Sequence, residues 1–598
     1  MPMKPLAASL ACSSLLFAAP VAGQGYDPGN QLPIGLVAAP RDPVGYYDAR
    51  AKARTLMGRK KAAEAEPLAE RIALEYPRDG ENWLLLAEVK RSLAKHLESA
   101  AAYEKAGELL WWGTGEDLAA MAAMEHLHSG NKRAALDLLR RHVSGGGEMD
   151  RSWIYGHEEF ESLRSDPEFL ELAGRPDSTG WSRDYGWRRD VDFLRDEVKR
   201  LNADYRNSPL PPEFERRYEE LKAKVPQLSD EGILVGMNRM LAVLRQGHTS
   251  VNAPNDSRLP FKGLPFQMYL FPEGMFIIDA AKEHKGLIGS RVISIDGVAT
   301  EEALRRINET QSVDGDNQYL LNGVNLLHSI PYLRGLGIAK AADSIEVAVQ
   351  KPRQSRRTIR AEASSFRETA RLMPLDGVDT PLFLREAKEV HRHQALPEHD
   401  ALYVQLNAVA DEPGESLAQY ALRLRAVLAD SAPGNVILDM RINPGGSTNS
   451  PGYSEFLRTM IGFSMLPGRR LYVLIGRRTY SAAGNLITEL EQLAGAIFVG
   501  EASSECCTFY GSPSFFILPF SKLRGSISTK RWSLSRKGND FRREMNPHAP
   551  VVTTAADYFA GRDPVMATAI RMIDRSRAAP PAAPGAGNQL TGDRAAPR

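Results

Sequence analysis

Three short stretches carry residue types that acyl-transfer chemistry uses: Ser481 in "IGRRTYSAAGNL", Pro444-Gly445-Gly446 in "LDMRINPGGST", and His248 in "GHTSV". Ser481 stands where an apolar strand gives way to a predicted helix. A hydroxyl there lies beside free backbone N–H groups, at the positive end of the helix dipole. That position favours the negative charge that develops in acyl transfer, and it equally suits a serine that only caps the helix. At Ser481 alone both interpretations stay open.

The other two stretches are also ambiguous when each is taken alone. The Pro-Gly-Gly turn lets the backbone approach a ligand closely and present its N–H groups, and it is also an ordinary turn. His248 follows Gly247, which ends a predicted helix that Ser229 caps at its start. A single histidine in that place is either a base or a structural residue.

The elements that must position these residues alternate between strand and helix in the last third of the chain. "ALYVQLN", "GNVILDMRIN", "RRLYVLIG" and "GAIFVGE" are predicted strands, and "ESLAQYALRLRAVLAD" and "AAGNLITELEQLA" are predicted helices between them. Such alternation indicates an α/β layer built on a largely parallel sheet. We therefore predict an α/β core over residues 353–575.

Helices are predicted for the first half of the chain. Segments that begin at Lys60, Lys95 and Gly130 align at a shift of about 35 residues, so residues 46–175 resemble tetratricopeptide repeats, with an ordinary helical bundle as the alternative. Either arrangement serves packing or the binding of a protein partner. Residues 176–255 are predicted as a helical subdomain that carries Gly-His-Thr. Residues 256–352 are predicted as a β-rich module, because "GLIGSRVISIDGVAT" resembles the hairpin of PDZ-like domains.

Length, charge and the two ends of the chain limit the function. The 598 residues predict a multidomain protein, and a net charge of +1 gives no general attraction to nucleic acid or anionic membrane. Residues 1–23 have the layout of a cleaved signal peptide, followed by a linker over 24–45, which predicts a periplasmic or secreted protein without a transmembrane span. Lipid anchoring at Cys12 is not expected. The Pro/Ala/Gly-rich tail, 576–598, is predicted to be disordered.

Metal and disulfide chemistry have little support in the sequence. Cys506 and Cys507 are adjacent, and they form either a vicinal disulfide or two small buried thiols. No Cys/His spacing typical of zinc is present, so no metal site is predicted. His391, His393 and His399 offer a metalloenzyme as a remote alternative, which is disfavoured because the chain has no HExxH pattern.

The motifs occur in one order: "GHT" after a helix, "LDMRINPGG", "YSAA" before a helix, and "FVGEAS" after it. In this order the chain, from about Trp181 to Met572, resembles the tail-specific (C-terminal-processing) serine peptidase family, in the branch that includes tricorn protease and interphotoreceptor retinoid-binding protein. The resemblance implies a crotonase-like ββα peptidase core with a PDZ-like module. It also implies that no cofactor is required.

The resemblance also implies roles for individual residues. Bacterial members use a serine and a lysine about two dozen residues downstream, but "GEASSECCTFYG" contains no lysine, so the tricorn-like arrangement applies. In that arrangement Ser481 is the nucleophile, His248 is the base, and a late acid orients the base. The other implied roles are the supporting acid (Asp540, alternatively Glu544), the oxyanion hole (Gly446, the N–H of Ala482, and Gly445) and the substrate pocket (Phe509 and Tyr510).

Two functions remain open at this stage. The first is an exported serine peptidase that hydrolyses peptide bonds of proteins or peptides. The second is a non-catalytic protein that keeps the peptidase fold and binds peptides or other ligands. Gly484 stands where much of the family has glutamate, and His548 stands where aspartate commonly follows proline. These departures remove no implied catalytic group, but they weaken any inference about the substrate.

Overall fold

The computed structural model describes residues 43–110, 115–145, 151–364, 372–448, 451–534 and 538–578. The predicted signal peptide, Cys12, the linker up to residue 42 and the tail from residue 579 lie outside the described residues. Within these ranges, no helix has both the length and the apolar character needed to cross a bilayer.

The first part of the described chain is helical, as predicted. Successive helices pack against one another, and alanines such as Ala65, Ala69 and Ala106 let their backbones approach closely. The predicted repeat segments fall on the second, fourth and sixth helices, while their assignment as tetratricopeptide repeats stays a prediction. The helices are α1 (Pro43–Gly58), α2 (Ala62–Glu75), α3 (Gly80–Ser92), α4 (His96–Leu109), α5 (Gly115–His128), α6 (Lys132–Gly145), α7 (Arg151–Gly156) and α8 (Pro167–Leu172).

The next part contains three helices and a short strand: α9 (Arg183–Leu201), α10 (Pro212–Lys224), α11 (Asp230–Ala242) and β1 (Ser250–Asn252). The Ser229 hydroxyl accepts a hydrogen bond from the N–H of Gly232 at 3.1 Å, which confirms the predicted N-cap of α11. The chain leaves α11, passes through His248 and enters β1. His248 is therefore held between a buried helix and a strand.

The β-rich part forms a sheet in the order β2-β3-β4-β6-β7, with antiparallel neighbours. The sheet extends past the predicted end at residue 352, because residues 357–362 form a strand that pairs with β6 in its last hairpin. Its elements are β2 (Phe266–Phe271), β3 (Gly274–Ala280), β4 (Arg291–Ile295), β5 (Val298–Ala299), α12 (Thr300–Asn308), α13 (Asn317–Leu327), α14 (Ile330–Gly335), β6 (Ser344–Gln350) and β7 (Arg357–Glu362).

The last part holds the predicted α/β core. Its elements are α15 (Leu382–Arg385), β8 (His391–Leu396), β9 (Ala401–Leu406), α16 (Leu417–Ser431), β10 (Asn435–Asp439), α17 (Pro451–Ser464), β11 (Arg470–Ile475), α18 (Ala482–Ala494), β12 (Ile497–Gly500), β13 (Thr508–Ile517), β14 (Arg524–Ser533), β15 (Ala549–Pro550), α19 (Ala555–Phe559) and α20 (Pro564–Ala578). The sheet order is β15-β12-β11-β10-β9-β8, and only the β8–β9 pair is antiparallel. The prediction of a largely parallel sheet is confirmed.

Helices cover both faces of this sheet. Alternate strand residues such as Val436 and Leu438 pack against α16, α17 and α18, while Ile437 and its neighbours pack against α20. Strands buried on both faces read as continuous apolar runs, which explains why the sequence pattern identified them. The carboxyl ends of β10 and β11 carry the Pro-Gly-Gly turn and Ser481.

A third sheet joins the helical subdomain to the core. The hairpin of β13 and β14 pairs with β1, with Ser250 opposite Ser526. The hairpin's apolar residues, including Phe516 and Ile527, share one core with α9 and α11. The predicted segments 176–255 and 353–575 are therefore interlocked, and this pairing carries His248 to the core.

Asp190 anchors the tip of this hairpin. It is buried in α9, and its carboxylate accepts the N–H groups of Phe520 at 2.7 Å and of Ser521 at 2.8 Å. We expect Asp190→Ala to destabilise the hairpin locally by about 3 kcal/mol, because it leaves two buried N–H groups without an acceptor. Amide hydrogen exchange measures this as lost protection at Phe520 and Ser521. The control is Asp196→Ala on the exposed side of α9, where unchanged protection is expected. Equal protection in both variants would contradict the prediction.

Candidate active site

Ser481 has a strained backbone and an unused hydroxyl. Its φ of 57° and ψ of −125° lie in a region that residues other than glycine rarely occupy, and its side chain makes no capping hydrogen bond to α18. Its N–H instead donates to Glu505 Oε2 at 2.7 Å. The structure therefore does not support the capping interpretation. Ser481 sits on a sharp turn between strand and helix with its hydroxyl available.

Two buried polar residues hold this turn in place. The Thr479 hydroxyl donates to the carbonyl of Met440 at 2.9 Å and accepts the N–H of Gly476 at 3.1 Å. The carbonyl of Asn443 accepts the N–H of Tyr480 at 3.2 Å. The strained conformation of Ser481 is thus fixed from the ends of two neighbouring strands. Neither residue was predicted from the sequence.

The Pro-Gly-Gly turn lies directly against Ser481. A Cβ on Gly445 would fall 2.6 Å from the Cβ of Ser481 and 2.9 Å from the backbone nitrogen of Ala482, so only glycine fits there. The N–H of Gly445 donates to Asn443 Oδ1 at 2.9 Å. Across the described residues, the N–H groups of Gly446 and Ala482 have no acceptor. Of the three predicted oxyanion-hole residues, Gly446 and Ala482 therefore have a backbone N–H that is available to a ligand. Gly445 instead lets the turn pack closely against Ser481.

His248 has a defined tautomer. Its Nδ1 lies 2.8 Å from the carbonyl oxygen of Tyr510, 3.1 Å from the Tyr480 hydroxyl and 3.4 Å from Glu505 Oε1. A carbonyl only accepts hydrogen bonds, so Nδ1 carries the proton and Nε2 keeps its lone pair. The ring also stacks on Tyr480, with centroids 4.6 Å apart. Burial lowers the pKa of His248 to about 4, and the Tyr510 carbonyl opposes that shift. At neutral pH His248 is an uncharged base.

Two buried carboxyl groups lie beside the histidine. Asp314 accepts the N–H of Gly247 at 2.8 Å and of Tyr510 at 3.0 Å, and Arg543 lies 3.5 Å away. Glu505 accepts the N–H of Ser481 and, at 2.9 Å, a side-chain N–H of Gln318. The two carboxyl groups adjoin each other, with an oxygen of each within 4.8 Å of the other and of a His248 ring nitrogen.

This acid pair retains a proton. Burial raises the pKa of Glu505 well above its usual range, with the charge of Asp314 as the next cause, and burial raises the pKa of Asp314 to about 6. Two adjoining buried carboxylates cannot both ionise cheaply, so the pair titrates as a unit. Backbone N–H groups and Arg543 stabilise the charge on Asp314, which leaves the proton on Glu505. The pair therefore holds one negative charge beside His248.

The predicted supporting acids lie elsewhere. The Asp540 carboxylate pairs with Arg542 at 2.7 Å, and that guanidinium lowers the pKa of Asp540. Glu544 accepts the N–H of Asn317 at 2.6 Å. Neither acid contacts His248 anywhere in the described chain. The reason is that residues 542–545 run beside 503–508, where backbone hydrogen bonds fix which side chains face the histidine.

Glu505 was not predicted as a site residue, although the sequence carries a signal for it. Glu505 follows Ser481 by 24 residues, close to the spacing of the lysine in the dyad arrangement. Gly484 is explained by the same contact, since a Cβ there would lie 2.8 Å from the carbonyl oxygen of Glu505. The glycine lets α18 pack against the backbone that carries the acid.

The predicted pocket residues have other roles. Phe509 is buried and stacks near Trp532, and Tyr510 is also buried, with its hydroxyl donating to Asp204 at 2.6 Å. Both lie on β13, so neither side chain lines an open pocket. Tyr510 contributes its backbone, which binds His248 and Asp314. The prediction of a Phe509 and Tyr510 pocket is not supported by these positions.

Two further alternatives are settled by the geometry. Cys506 and Cys507 form a disulfide directly after Glu505, and both are buried. His391 stacks on Tyr420 at 4.1 Å, whereas His399 faces Asp574 at 3.2 Å. The remote alternative of a metal site at His391, His393 and His399 is not supported, because in the described residues these three do not form a cluster of ligand atoms.

Comparison with known proteins finds likeness only among solved structures. No protein-family model and no curated protein matches the chain. Mature CPAF is 12% identical, with a TM-score of 0.49, over 66% of this chain and 97% of that one. The photosystem II D1 C-terminal processing protease is 14% identical, with a TM-score of 0.32, over 61% and 93%. A putative S41 protease from Bacteroides fragilis is 13% identical, with a TM-score of 0.31, over 64% and 97%.

The chain is thus similar in structure to proteases of the kind that its motifs resemble. At these identities and TM-scores the likeness does not assign the chemistry. The function is therefore argued from the site.

The raised pKa of Glu505 should make the free energy of unfolding depend on pH. Because the folded pKa of Glu505 is raised, its contribution to stability is complete below the unfolded value near 4.3 and is lost as pH rises toward the folded value. Glu505→Gln keeps the shape of the protonated acid and does not titrate. We expect the stability of the unmodified chain relative to Glu505→Gln to fall above about pH 4, by up to about 1.4 kcal/mol per pH unit.

Urea unfolding of both proteins between pH 4 and about pH 8 measures this difference. Shared titrating groups that are not coupled to Glu505 cancel in the comparison, so the difference reports on the Asp314–Glu505 pair. Parallel pH profiles would show that Glu505 ionises normally in the folded protein.

Proposed function

We propose that this chain is a serine peptidase in which Ser481 is the nucleophile and His248 is the general base. The proposal is supported chiefly by Ser481, whose backbone is strained and whose side chain does not cap α18. The Ser481 N–H donates to one oxygen of Glu505, and the other oxygen of Glu505 lies 3.4 Å from His248 Nδ1. A positive φ on serine costs about 1–3 kcal/mol and persists where the surroundings impose it. Helix capping would not need that strain.

The proposed mechanism follows from the donors and acceptors in place. His248 Nε2 takes the proton of the Ser481 hydroxyl, and Oγ attacks the carbonyl carbon of the scissile bond. The tetrahedral oxyanion accepts the N–H groups of Gly446 and Ala482. His248 then passes its proton to the leaving amine, and water hydrolyses the acyl-enzyme by the same base. Throughout, the single negative charge on the Asp314–Glu505 pair stabilises the imidazolium.

The substrate is proposed to be a protein or peptide. The turn at Gly446 is exposed while Gly445 is buried, so a carbonyl can reach the donors from the surface. The proposal of an exported enzyme rests on the sequence of residues 1–23 alone, and that of a protein partner on the helices α1–α8 rests on their likeness to repeats. Neither is needed for the chemistry.

Fluorophosphonate labelling separates a peptidase from a non-catalytic binding protein. We expect the folded chain to be labelled once, at Ser481, and labelling to disappear in Ser481→Ala. We expect His248→Ala to slow labelling at least about a thousandfold, because the hydroxyl is then not deprotonated. Asp540→Asn and Glu544→Gln are matched controls that keep the wild-type rate. Unlabelled wild-type protein with a native circular-dichroism spectrum would favour the binding protein.

The acid pair makes a second prediction. Asp314→Asn leaves Glu505 free to ionise, and Glu505→Gln leaves Asp314 ionised, so each single variant keeps one negative charge near His248. The double variant keeps none. We expect the double variant to lose about 10³–10⁴-fold in labelling rate, similar to loss of a triad acid, and each single variant to lose much less.

The labelling rates of the four proteins form a double-mutant cycle, with circular dichroism to show that each is folded. If one single variant were as slow as the double variant, that residue alone would be the supporting acid. Strictly additive losses would likewise contradict a shared charge.

A further inference from the structure

A cluster of histidine and carboxylate side chains lies in the helical region, apart from the catalytic site. His96, Glu125 and His128 each offer one ligand atom, and these atoms all lie within 4.8 Å of one another. His96 begins α4, and Glu125 and His128 lie in the last turn of α5, three positions apart and so on one face of the helix. The packing of α4 against α5 brings the two faces together.

The contacts within the cluster are those of potential ligands. His96 Nδ1 lies 2.9 Å from Glu125 Oε2, and the rings of His96 and His128 are 4.7 Å apart. His128 Nε2 lies 2.8 Å from Glu159 Oε2, which the turn after α7 supplies. Three side chains from two helices thus converge, and Glu159 from a third segment contacts them through His128. His128 is partly exposed, so ions in solvent can reach it.

Glu125 provides an independent indication of a ligand. Its side chain is completely buried, yet its Oε1 makes no hydrogen bond. Arg91 Nε lies 3.2 Å from this oxygen, and Arg91 also pairs with Glu159 at 3.3 Å. A buried carboxylate is costly unless its charge and lone pairs are satisfied. The cluster has two carboxylates but only one guanidinium, which favours a further cation once the imidazoles act as ligands.

We propose that His96, Glu125 and His128 bind a zinc ion, with Glu159 as the fourth ligand. Two imidazoles with carboxylates suit zinc, whereas calcium and magnesium take oxygen ligands. All four positions are protein side chains, as in structural zinc sites. The bound ion would join α4, α5 and the turn at Glu159, so it would stabilise the helical region. Sequence spacing could not show this site, because its ligands lie on different helices.

The test is zinc titration of the full mature chain by calorimetry, with melting temperature as a second readout. The experiment is done in the His248→Ala background, because His248, Asp314 and Glu505 form another cluster with a histidine and two carboxylates. We expect one zinc ion per chain and a rise in melting temperature. His96→Asn and His128→Asn should each weaken binding at least tenfold and abolish that rise.

The matched control is His126→Asn. His126 lies on the same helix, but its ring faces Glu104 at 3.3 Å instead of the cluster. We expect this variant to bind zinc as its parent does. His128 is on the surface, so its variant should fold, and circular dichroism checks this. The proposal is overturned if the parent binds no zinc, or if the His126 and His128 variants bind equally.

Discussion

The adjoining pair of buried carboxyl groups, Asp314 and Glu505, is the feature on which the site depends. Asp314 binds the backbone N–H groups of Gly247 and Tyr510, which flank and contact His248. Glu505 binds the N–H of Ser481. One pair of side chains therefore fixes the base, its carbonyl partner and the nucleophile. Two acids tolerate such burial because the pair retains a proton. The remaining charge lies beside His248, which becomes cationic in the proposed mechanism.

The residues of this site come from several segments of the chain. Asp314 comes from the loop between α12 and α13, His248 from the segment between α11 and β1, and Ser481 and Glu505 from the α/β core. Pairing of β1 with β14 brings the helical segment to the core. Any change that separates these segments would remove the acceptor of Ser481 or the partner of His248. Structural integrity and chemistry are therefore coupled here.

Features with a local signal could be predicted from the sequence. The strands of the parallel sheet could be predicted from apolar runs between helices. Ser481, His248 and the Pro-Gly-Gly turn could be predicted because they stand at the ends of predicted helices and strands. The two buried acids had a weaker signal: Glu505 had only its spacing from Ser481, and Asp314 had none. Asp314 lies in a loop far from Ser481 in the chain, and its role exists only after the β-rich part has packed on the core.

Other features that the sequence misplaced or left open have a similar origin. Asp540 was favoured by its position near the end of the core, but Arg542 on the same segment captures its carboxylate. The resemblance placed Phe509 and Tyr510 in the substrate pocket, whereas β13 buries both side chains. Cys506 and Cys507 form the disulfide that composition alone left undecided. Each outcome depends on which side of an extended segment faces the core.

A crystal structure of the chain after reaction with a fluorophosphonate would show directly whether this turn is the catalytic centre. We expect a phosphorus–oxygen bond to Ser481 Oγ, with a phosphonyl oxygen accepting hydrogen bonds from the N–H groups of Gly446 and Ala482. We also expect that His248 Nδ1 remains bonded to the Tyr510 carbonyl. A phosphonyl group on another residue, or an adduct at Ser481 whose oxygen faces away from both N–H groups, would contradict the assignment of this turn as the catalytic centre.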